Sequence, residues 1–381
     1  MAAEVAEKTV GEAGFEPTTS SSQSWRTTRL CYSPSFDAGL GPVEAIGLSA
    51  GDEECASVES LKNATFHIGA DENGLGPRLG PMVVTAVLAK VTLKGRGLLH
   101  PDAKSELDSR LDDSKKLVAF GDCALAEAWT RALVERGAGR HKHCETPDEL
   151  LDAVCIDTRA ELQRPCPTHV LSQCWRTDGD AFDARASGLL PTVARDLDEL
   201  ALGGVDILAV RCVVVCNHRL NEAAEAGKSR FKVDLNAMER LVLALRELAG
   251  GEVNAVCGKV GGYAHYEEAF GPLAGRLHTV LEESRVRSAY RFPGLGELSF
   301  AMDADANHRL VALASLVGKY VRELSMSRIV HHYRRDDASL PLVSGYHDPV
   351  TARFVAGTQA RRSDENVPNT CFERTKRGPP R

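Results

Sequence analysis

The residues of this sequence best suited to chemistry are two adjacent acids, Asp71 and Glu72, at the end of a short apolar run. A loop with three glycines and two prolines follows them, and then Met82–Val91, whose β-branched residues predict a buried strand. Carboxylates at a strand end can bind a hard divalent cation, and glycine amides can approach a phosphate closely. An ordinary solvated turn accounts for the same residue types, so these residues alone leave both interpretations open.

Strand geometry limits what this acid pair can do. Neighbouring side chains on a strand point to opposite faces, so Asp71 and Glu72 can reach one ion only where the strand is interrupted. The glycines at 74, 76 and 80 predict such an interruption directly after them.

The rest of the chain predicts the elements that must position this pair. Strands alternate with amphipathic helices, which predicts an α/β sheet. The predicted strands after residue 91 are 206–216, 253–257, 276–281 and 297–302, and the predicted helices are 122–136, 235–248 and 310–324.

Composition bounds the class of protein. The chain has 381 residues, 43% hydrophobic and 26% charged, which is ordinary for a globular protein. It has no apolar run near the ~20 residues of a membrane helix and no secretory signal at its N-terminus. Eleven irregularly spaced cysteines favour reduced thiols over a disulfide framework. We therefore expect a cytoplasmic protein, monomeric and without a membrane partner.

Charge is distributed unevenly along the sequence. The net charge is −7, and residues 1–60 account for all of it, with three basic and ten acidic side chains. Their composition predicts a disordered N-terminal segment. The remainder is balanced, and residues 356–381 read as a basic C-terminal tail. A neutral body with local basic patches is compatible with a phosphate-backbone partner.

Residues 137–204 interrupt the pattern and are interpreted as an insertion rich in soft metal ligands. Zinc requires four such groups, but the spacing matches no repeated Cys-x2-Cys pair, so reduced thiols are the favoured interpretation and zinc the alternative. The residues concerned are His141, His143, Cys144, Cys155, Cys166, His169 and Cys174.

The stretch 66–87 resembles the first motif of the type 2 ribonucleases H, the family of ribonucleases HII and HIII. That motif is a small residue, Asp-Glu-x-Gly-x-Gly, then Gly-Pro and an apolar strand. The matching residues are Gly69, Asp71, Glu72, Gly74, Gly76, Gly80 and Pro81. Leu75 stands where the HII loop has an arginine, which is closer to the HIII pattern.

Three later segments match the same family in order. Residues 113–117 match its Asp-Ser-Lys-Lys-Leu, and residues 304–323 run along its third motif without a gap. Residues 344–349 resemble its Ser-Gly-Tyr-x-x-Pro. The resemblance covers about 285 residues and predicts one domain, 61–355, that contains the insertion.

The resemblance implies a ribonuclease H-like α/β fold, with a mixed central sheet and helices on both faces. It also implies hydrolysis of the RNA strand of RNA–DNA hybrids, or of DNA that contains ribonucleotides, with Mg²⁺ or Mn²⁺ as cofactor. Four carboxylates would hold two ions ~4 Å apart that activate water and stabilise the leaving oxygen. The implied catalytic and metal-binding residues are Asp71, Glu72 and Glu323; the implied substrate-binding residues are Gly74, Gly76, Ser114, Lys115 and Tyr346.

The sequence departs from the family at one catalytic acid. The aspartate that ends the strand after the central helix is replaced here by Gly258. In addition, the family's Lys-Ala-Asp reads Asp303-Ala304-Asp305, so Asp303 is a candidate replacement metal ligand. Two other classes of function stay open: a hybrid-binding protein that has lost turnover, and an interaction module built on the Cys/His insertion.

Overall fold

The computed structural model describes residues 64–101, 105–137, 143–260 and 262–375. The segment predicted to be disordered, 1–60, lies outside these residues.

The described residues form one mixed sheet of seven strands in the order β3-β2-β1-β4-β7-β6-β5. Neighbouring strands run antiparallel from β3 through β2 to β1, whereas β4 is parallel to β1 and β7 is parallel to β4. The strands β5 and β6 add an antiparallel edge. Their bounds are β1 Thr65–Asn73, β2 Met82–Val91, β3 Val205–Val215, β4 Val253–Gly258, β5 Thr279–Glu283, β6 Arg287–Phe292 and β7 Gly296–Ala301.

Helices cover both faces of this sheet. Helices α2, α6 and α10 pack on one face, and α8 packs on the other. The bounds of the described α-helices are α1 Ser114–Leu117, α2 Ala124–Gly137, α3 Pro147–Val154, α4 Arg159–Gln163, α5 Leu171–Trp175, α6 Ala184–Leu202, α7 Asn217–Glu225, α8 Arg230–Ala249, α9 Ala304–Asn307, α10 Arg309–Arg334, α11 Pro349–Gly357, α12 Gln359–Asp364 and α13 Asn369–Phe372.

Strand β2 shows why the sequence requires two covered faces. Val83 and Val87 are buried in the core beneath α10, and their neighbours Val84 and Ala86 are buried in the core beneath α8. A strand that is buried on both sides is apolar throughout, with no alternation of polar residues. The prediction of an α/β fold with a mixed sheet and helices on both faces is therefore confirmed.

A close approach between β1 and α10 brings the helix to the acid pair. A Cβ atom at Gly69 would lie 2.3 Å from the carbonyl carbon of Leu310, so only glycine allows the strand and helix to pack this closely. Further along, the Asn73 side chain donates to the Ser315 carbonyl, at 3.0 Å. These contacts fix which turn of α10 faces the end of β1.

The C-terminal segment differs from its prediction. Residues 356–375 are not an extended tail: α12 and α13 form, and Phe354 and Phe372 pack with Tyr333 in a third apolar core. Residues 376–381 lie outside the described part of the chain. The domain boundary predicted at residue 355 therefore falls about twenty residues short.

The predicted insertion is also part of the packed body. Its longest helix, α6, packs against α2 and β3, and Val193 and Leu197 are buried in the same core as the sheet. Among the described residues, none of the helices is both long enough and apolar enough to cross a membrane.

Candidate active site

Asp71 lies near the end of β1, on the face covered by α10. The Ser315 hydroxyl of α10 donates a hydrogen bond to its carboxylate. Burial, together with the charges of Glu72 and Asp305, raises the pKa of Asp71 to about 8. A carboxyl group with this pKa is one that a bound cation would stabilise in its charged form.

Glu72 belongs to the opposite face, because β1 continues to Asn73 without the interruption predicted after the acid pair. Its Oε2 accepts a hydrogen bond from the Leu75 amide at 2.8 Å. Burial raises the pKa of Glu72, and the positive charges of Arg374, Lys115 and Arg322 oppose that rise. The two side chains therefore leave the strand in opposite directions, but Glu72 stays close enough for its charge to act on Asp71.

A third carboxylate near Asp71 is Asp305, and the predicted candidate Asp303 lies elsewhere. Asp303 is exposed and precedes α9 in the left-handed conformation, with φ of 50°. Asp305 is half-buried, its charge acts on Asp71, and its Oδ2 lies 3.6 Å from the Lys115 ammonium. The helical turn at α9 therefore orients the second aspartate of this motif, not the first, toward the site.

A fourth carboxylate, Asp234, comes from α8 on the other face of the sheet. Its side chain is fully buried, and neither of its oxygens has a hydrogen-bond partner among the described residues. Burial, then the charges of Glu72 and Asp71, raise its pKa well above the ordinary value. Asp234 thus lies beneath the same strand end as the acid pair.

Glu323, predicted as the remaining catalytic acid, is placed differently. It follows Ser315 by eight residues on α10, which is about 12 Å along a helix axis. Its carboxylate pairs with Lys319 at 3.4 Å and with Arg322 at 3.1 Å. The structure therefore does not bring Glu323 into contact with Asp71, because the helix carries it past the site.

Gly258 ends β4 beside the acid pair, as the sequence alignment predicts for the lost aspartate. A Cβ atom there would lie 2.5 Å from Oδ1 of Asp71. The Asp71 carboxylate consequently occupies space that a side chain at Gly258 would need.

We expect Gly258→Ala to lower any metal-dependent cleavage about tenfold to a hundredfold, because the new methyl group must displace Asp71 and ~1 Å of misplacement has effects of that size. The matched control is Gly251→Ala, just before β4, where a Cβ would meet Phe66 at an ordinary 3.7 Å. Gly258→Asp should recover part of the loss if a carboxylate at this strand end can still act. Equal rates for Gly258→Ala and the unmodified protein would show that the Asp71 position does not matter.

The glycine-rich loop after β1 is held in place by the C-terminal segment. Arg374 is buried and donates hydrogen bonds to the carbonyl oxygens of Gly74, Leu75 and Gly80, at 2.6 to 3.2 Å. Burial and the neighbouring charge of Arg230 lower the pKa of Arg374 to about 9. Residues from the predicted tail therefore fix the loop that follows the acid pair.

Replacing Arg374 by methionine should lower the free energy of unfolding by about 3 kcal/mol, because several buried carbonyl groups would lose their donor. Urea denaturation measures this change. Arg291→Met is the control: Arg291 is exposed and pairs with Glu252, so its removal should cost less than about 1 kcal/mol. A loss at position 374 no larger than the control would contradict the proposed role in holding the loop.

The predicted substrate-binding residues fall into two groups. Lys115 has an 83% exposed side chain next to Asp305, and Tyr346 is 44% exposed beneath the Arg322 guanidinium, 5.0 Å from the ring centre. Gly74 lies against the same Arg322. At Gly76 the described residues leave the space around a Cβ position open to 4 Å. Of these four residues, Lys115, Gly76 and Tyr346 are exposed, whereas Gly74 is buried.

Ser114 does not contact this surface, because it is buried. Its hydroxyl lies 2.9 Å from the Ser315 hydroxyl. Either hydroxyl can be the donor in this pair, and the Ser315 hydroxyl also hydrogen-bonds the Asp71 carboxyl group. Ser114 therefore orients Ser315 and, through it, Asp71.

The donor set fits a hard divalent cation. The neighbouring acidic groups are all carboxylates, which Mg²⁺ and Mn²⁺ prefer, and the buried Asp234 carboxyl group has no hydrogen-bond partner among the described residues. Within the described ranges, no three His, Cys, Asp or Glu side chains are arranged as a preformed metal site. Like charges repel, and Glu72 is drawn to the Leu75 amide, which accounts for this open arrangement.

The soft ligands of the predicted zinc alternative are distributed over several places. Cys144 is buried in the core, Cys155 contacts Cys212 at 3.6 Å, and His169 bonds the Asn366 carbonyl. Cys166 and Cys174 line a small cavity with two cysteines from outside the insertion. His141 lies outside the described residues. Zinc in this segment stays an untested alternative.

Sequence reasoning missed Asp234 and the role of Asp305. Asp234 lies between Phe231 and Met238 on the apolar stripe of α8, so an acid at a core-facing position was the available signal. Asp305 lies within the third motif, where the letter sequence does not show which aspartate faces the site.

No family model matches the chain, and no curated protein matches it. The chain is similar to solved structures of type 2 ribonucleases H. For RNase HII of Archaeoglobus fulgidus in a complex with PCNA, identity is 15%, coverage is 83% of this chain and 96% of that one, and the TM-score is 0.36. For Bst-RNase HIII with Mn²⁺, identity is 11%, coverage is 86% of this chain and 72% of that one, and the TM-score is 0.37. For Aquifex aeolicus RNase H3, identity is 13%, coverage is 85% of this chain and 77% of that one, and the TM-score is 0.34.

Proposed function

We propose that this protein is a divalent-metal-dependent endonuclease that cleaves the RNA strand of RNA–DNA hybrids. The observation that carries the proposal is the group of carboxylates around the end of β1, which lies beside an exposed lysine and a glycine-rich loop. Asp71, Glu72 and Asp305 would hold the metal. When bound, divalent ions supply a Lewis acid that activates water and stabilises the leaving oxygen.

The residues around the carboxylates account for recognition of the substrate. Lys115 is exposed and next to Asp305, so its ammonium can bind a backbone phosphate. The open space at Gly76 allows close approach of a sugar-phosphate strand, and the exposed Tyr346 ring offers a surface for a ribose. The 2′-hydroxyl and A-form shape distinguish RNA from DNA for a site of this kind.

Ser114, Ser315 and Arg374 support this site without contacting substrate. The two serines hold the Asp71 carboxylate, and Arg374 holds the carbonyls of the loop. Together they fix the distance between the acid that would bind metal and the loop that would bind the strand.

A second candidate is a protein that binds hybrids without turnover. Gly258 favours it, because this position offers no ligand beside Asp71. The structure also has no preformed metal site among its described residues. The two candidates share a binding surface and differ only in chemistry.

Incubation of the full chain with a labelled RNA–DNA hybrid tests the proposal. We expect cleavage of the RNA strand, with 3′-hydroxyl ends, in Mg²⁺ or Mn²⁺ and none in EDTA. Duplex DNA with one embedded ribonucleotide, and all-DNA duplex, complete the set of substrates. Tight binding of the hybrid without cleavage in either metal would support the second candidate, and neither binding nor cleavage would reject both.

A further inference from the structure

Gly258 stands where the type 2 ribonucleases H have a catalytic aspartate, so this chain lacks a carboxylate at that strand end. Gly258 lies on the α10 face of the sheet, beside Asp71, and supplies no oxygen. The other face of the same strand ends carries Asp234, a buried acid whose oxygens have no hydrogen-bond partner among the described residues. We propose that Asp234, from helix α8, is a metal ligand at these strand ends and supplies a carboxylate where Gly258 supplies none. This inference rests on the proposed function.

The position of Asp234 supports this role. Its charge acts on Glu72, on Asp71 and on the buried thiol of Cys257, the residue directly before Gly258. Asp234 therefore reaches the end of both β1 and β4 from beneath.

The surroundings of Asp234 argue against a structural role. It is fully buried among apolar residues, including Leu235 and Met238, and both its oxygens lack a hydrogen-bond partner within the described part of the chain. A carboxyl group in that position destabilises a fold whether it is charged or protonated, because its oxygens leave water without gaining a partner. A divalent cation shared with Glu72 would provide that partner.

Glu239, on the same helix, is the internal comparison. It is equally buried, but its carboxylate accepts hydrogen bonds from the amides of Gly271 and Leu273, at 2.7 to 3.2 Å. Glu239 thus has the partners of a structural acid, and Asp234 does not. The two side chains are equally buried, and they differ only in whether their oxygens accept hydrogen bonds.

Binding of Mn²⁺ to the full chain, followed by electron paramagnetic resonance of the free ion, tests the assignment without any cleavage assay. We expect Asp234→Asn to weaken Mn²⁺ binding at least about tenfold and to reduce the increase in melting temperature that Mn²⁺ produces. Asp234→Ala provides a smaller second variant in case the amide disturbs packing. Glu239→Gln should lower the melting temperature equally with and without Mn²⁺ and leave Mn²⁺ affinity unchanged.

The outcomes separate this inference from the proposed function. Unchanged Mn²⁺ affinity in both Asp234 variants, with affinity lost in Asp71→Asn, would overturn the role of Asp234 and leave the metal-dependent site standing. No Mn²⁺ binding by the unmodified chain, together with no cleavage of hybrid, would overturn both. Loss of affinity at Asp234 but not at Glu239 is the supporting result.

Discussion

Asp71→Asn should abolish metal-dependent cleavage of an RNA–DNA hybrid, with a loss of at least about a thousandfold, or ~4 kcal/mol of transition-state stabilisation. Asp71 is the acid that the others surround: Glu72 and Asp305 act on its charge, and Gly258 leaves room for its carboxylate. Asparagine has the same shape and can still accept the Ser315 hydrogen bond. The substitution therefore removes the charge that would hold a cation and leaves the packing intact.

Hybrid affinity in EDTA should not fall in this variant, because Asp71, with a pKa of about 8, is already largely protonated near neutral pH when no cation is bound. Filter binding in EDTA measures the affinity, and single-turnover cleavage in Mg²⁺ and Mn²⁺ measures the rate. Asp112→Asn is the control: Asp112 is a nearby acid that pairs with Lys116 at 2.8 Å. Cleavage by Asp71→Asn at the rate of this control would refute the assignment of the site.

The second large effect is expected at Asp305 and not at its neighbour Asp303. Asp305→Asn should slow cleavage about a hundredfold or more, because its half-buried carboxylate acts directly on Asp71. Asp303→Asn should stay within about twofold of the unmodified protein, because the Asp303 side chain is exposed and makes no hydrogen bond that caps α9. Both substitutions remove one negative charge at positions two residues apart, so a change in net charge cannot explain a difference in cleavage rate between the two variants.

Asp305 also pairs with Lys115, and this contact offers another explanation for a loss of rate. Lys115→Met distinguishes the two. If Asp305 only positions the lysine, Lys115→Met should reproduce the effect of Asp305→Asn. If Asp305 acts on the metal, Lys115→Met should chiefly weaken hybrid binding and lower its salt dependence, with a smaller change in the rate of bound substrate. Equal effects of the Asp303 and Asp305 substitutions would contradict our choice between them.

The sequence alone determined the parts of this protein that depend on local order. The apolar run, the adjacent acids and the glycine-rich loop predict a strand that ends in carboxylates, and the spacing of apolar residues predicts the helices that cover the sheet. Ordered motifs placed Asp71, Glu72, Lys115 and Tyr346 as candidates. Burial of both faces of β2 follows from its continuous apolar character.

Only the tertiary structure decided which acids meet. Helix rotation at α9 turns Asp305, not Asp303, toward the strand end, and the length of α10 carries Glu323 past it. A local pattern cannot show this, because residues two or eight apart on a helix project in directions that matter only relative to the sheet. Which of these acids faces the site depends on where the end of β1 lies relative to each helix.

The contributions of Asp234 and Arg374, which are distant in sequence from the acid pair, could not be predicted from the sequence for a related reason. Asp234 reaches the end of β1 from a helix more than 160 residues away in the chain, and Arg374 returns to the loop from 300 residues beyond Gly74. Read locally, the first is an acid on an apolar stripe and the second is one of several basic residues in a tail. Both residues come to lie beside the acid pair only because of how the strands and helices pack in the folded protein.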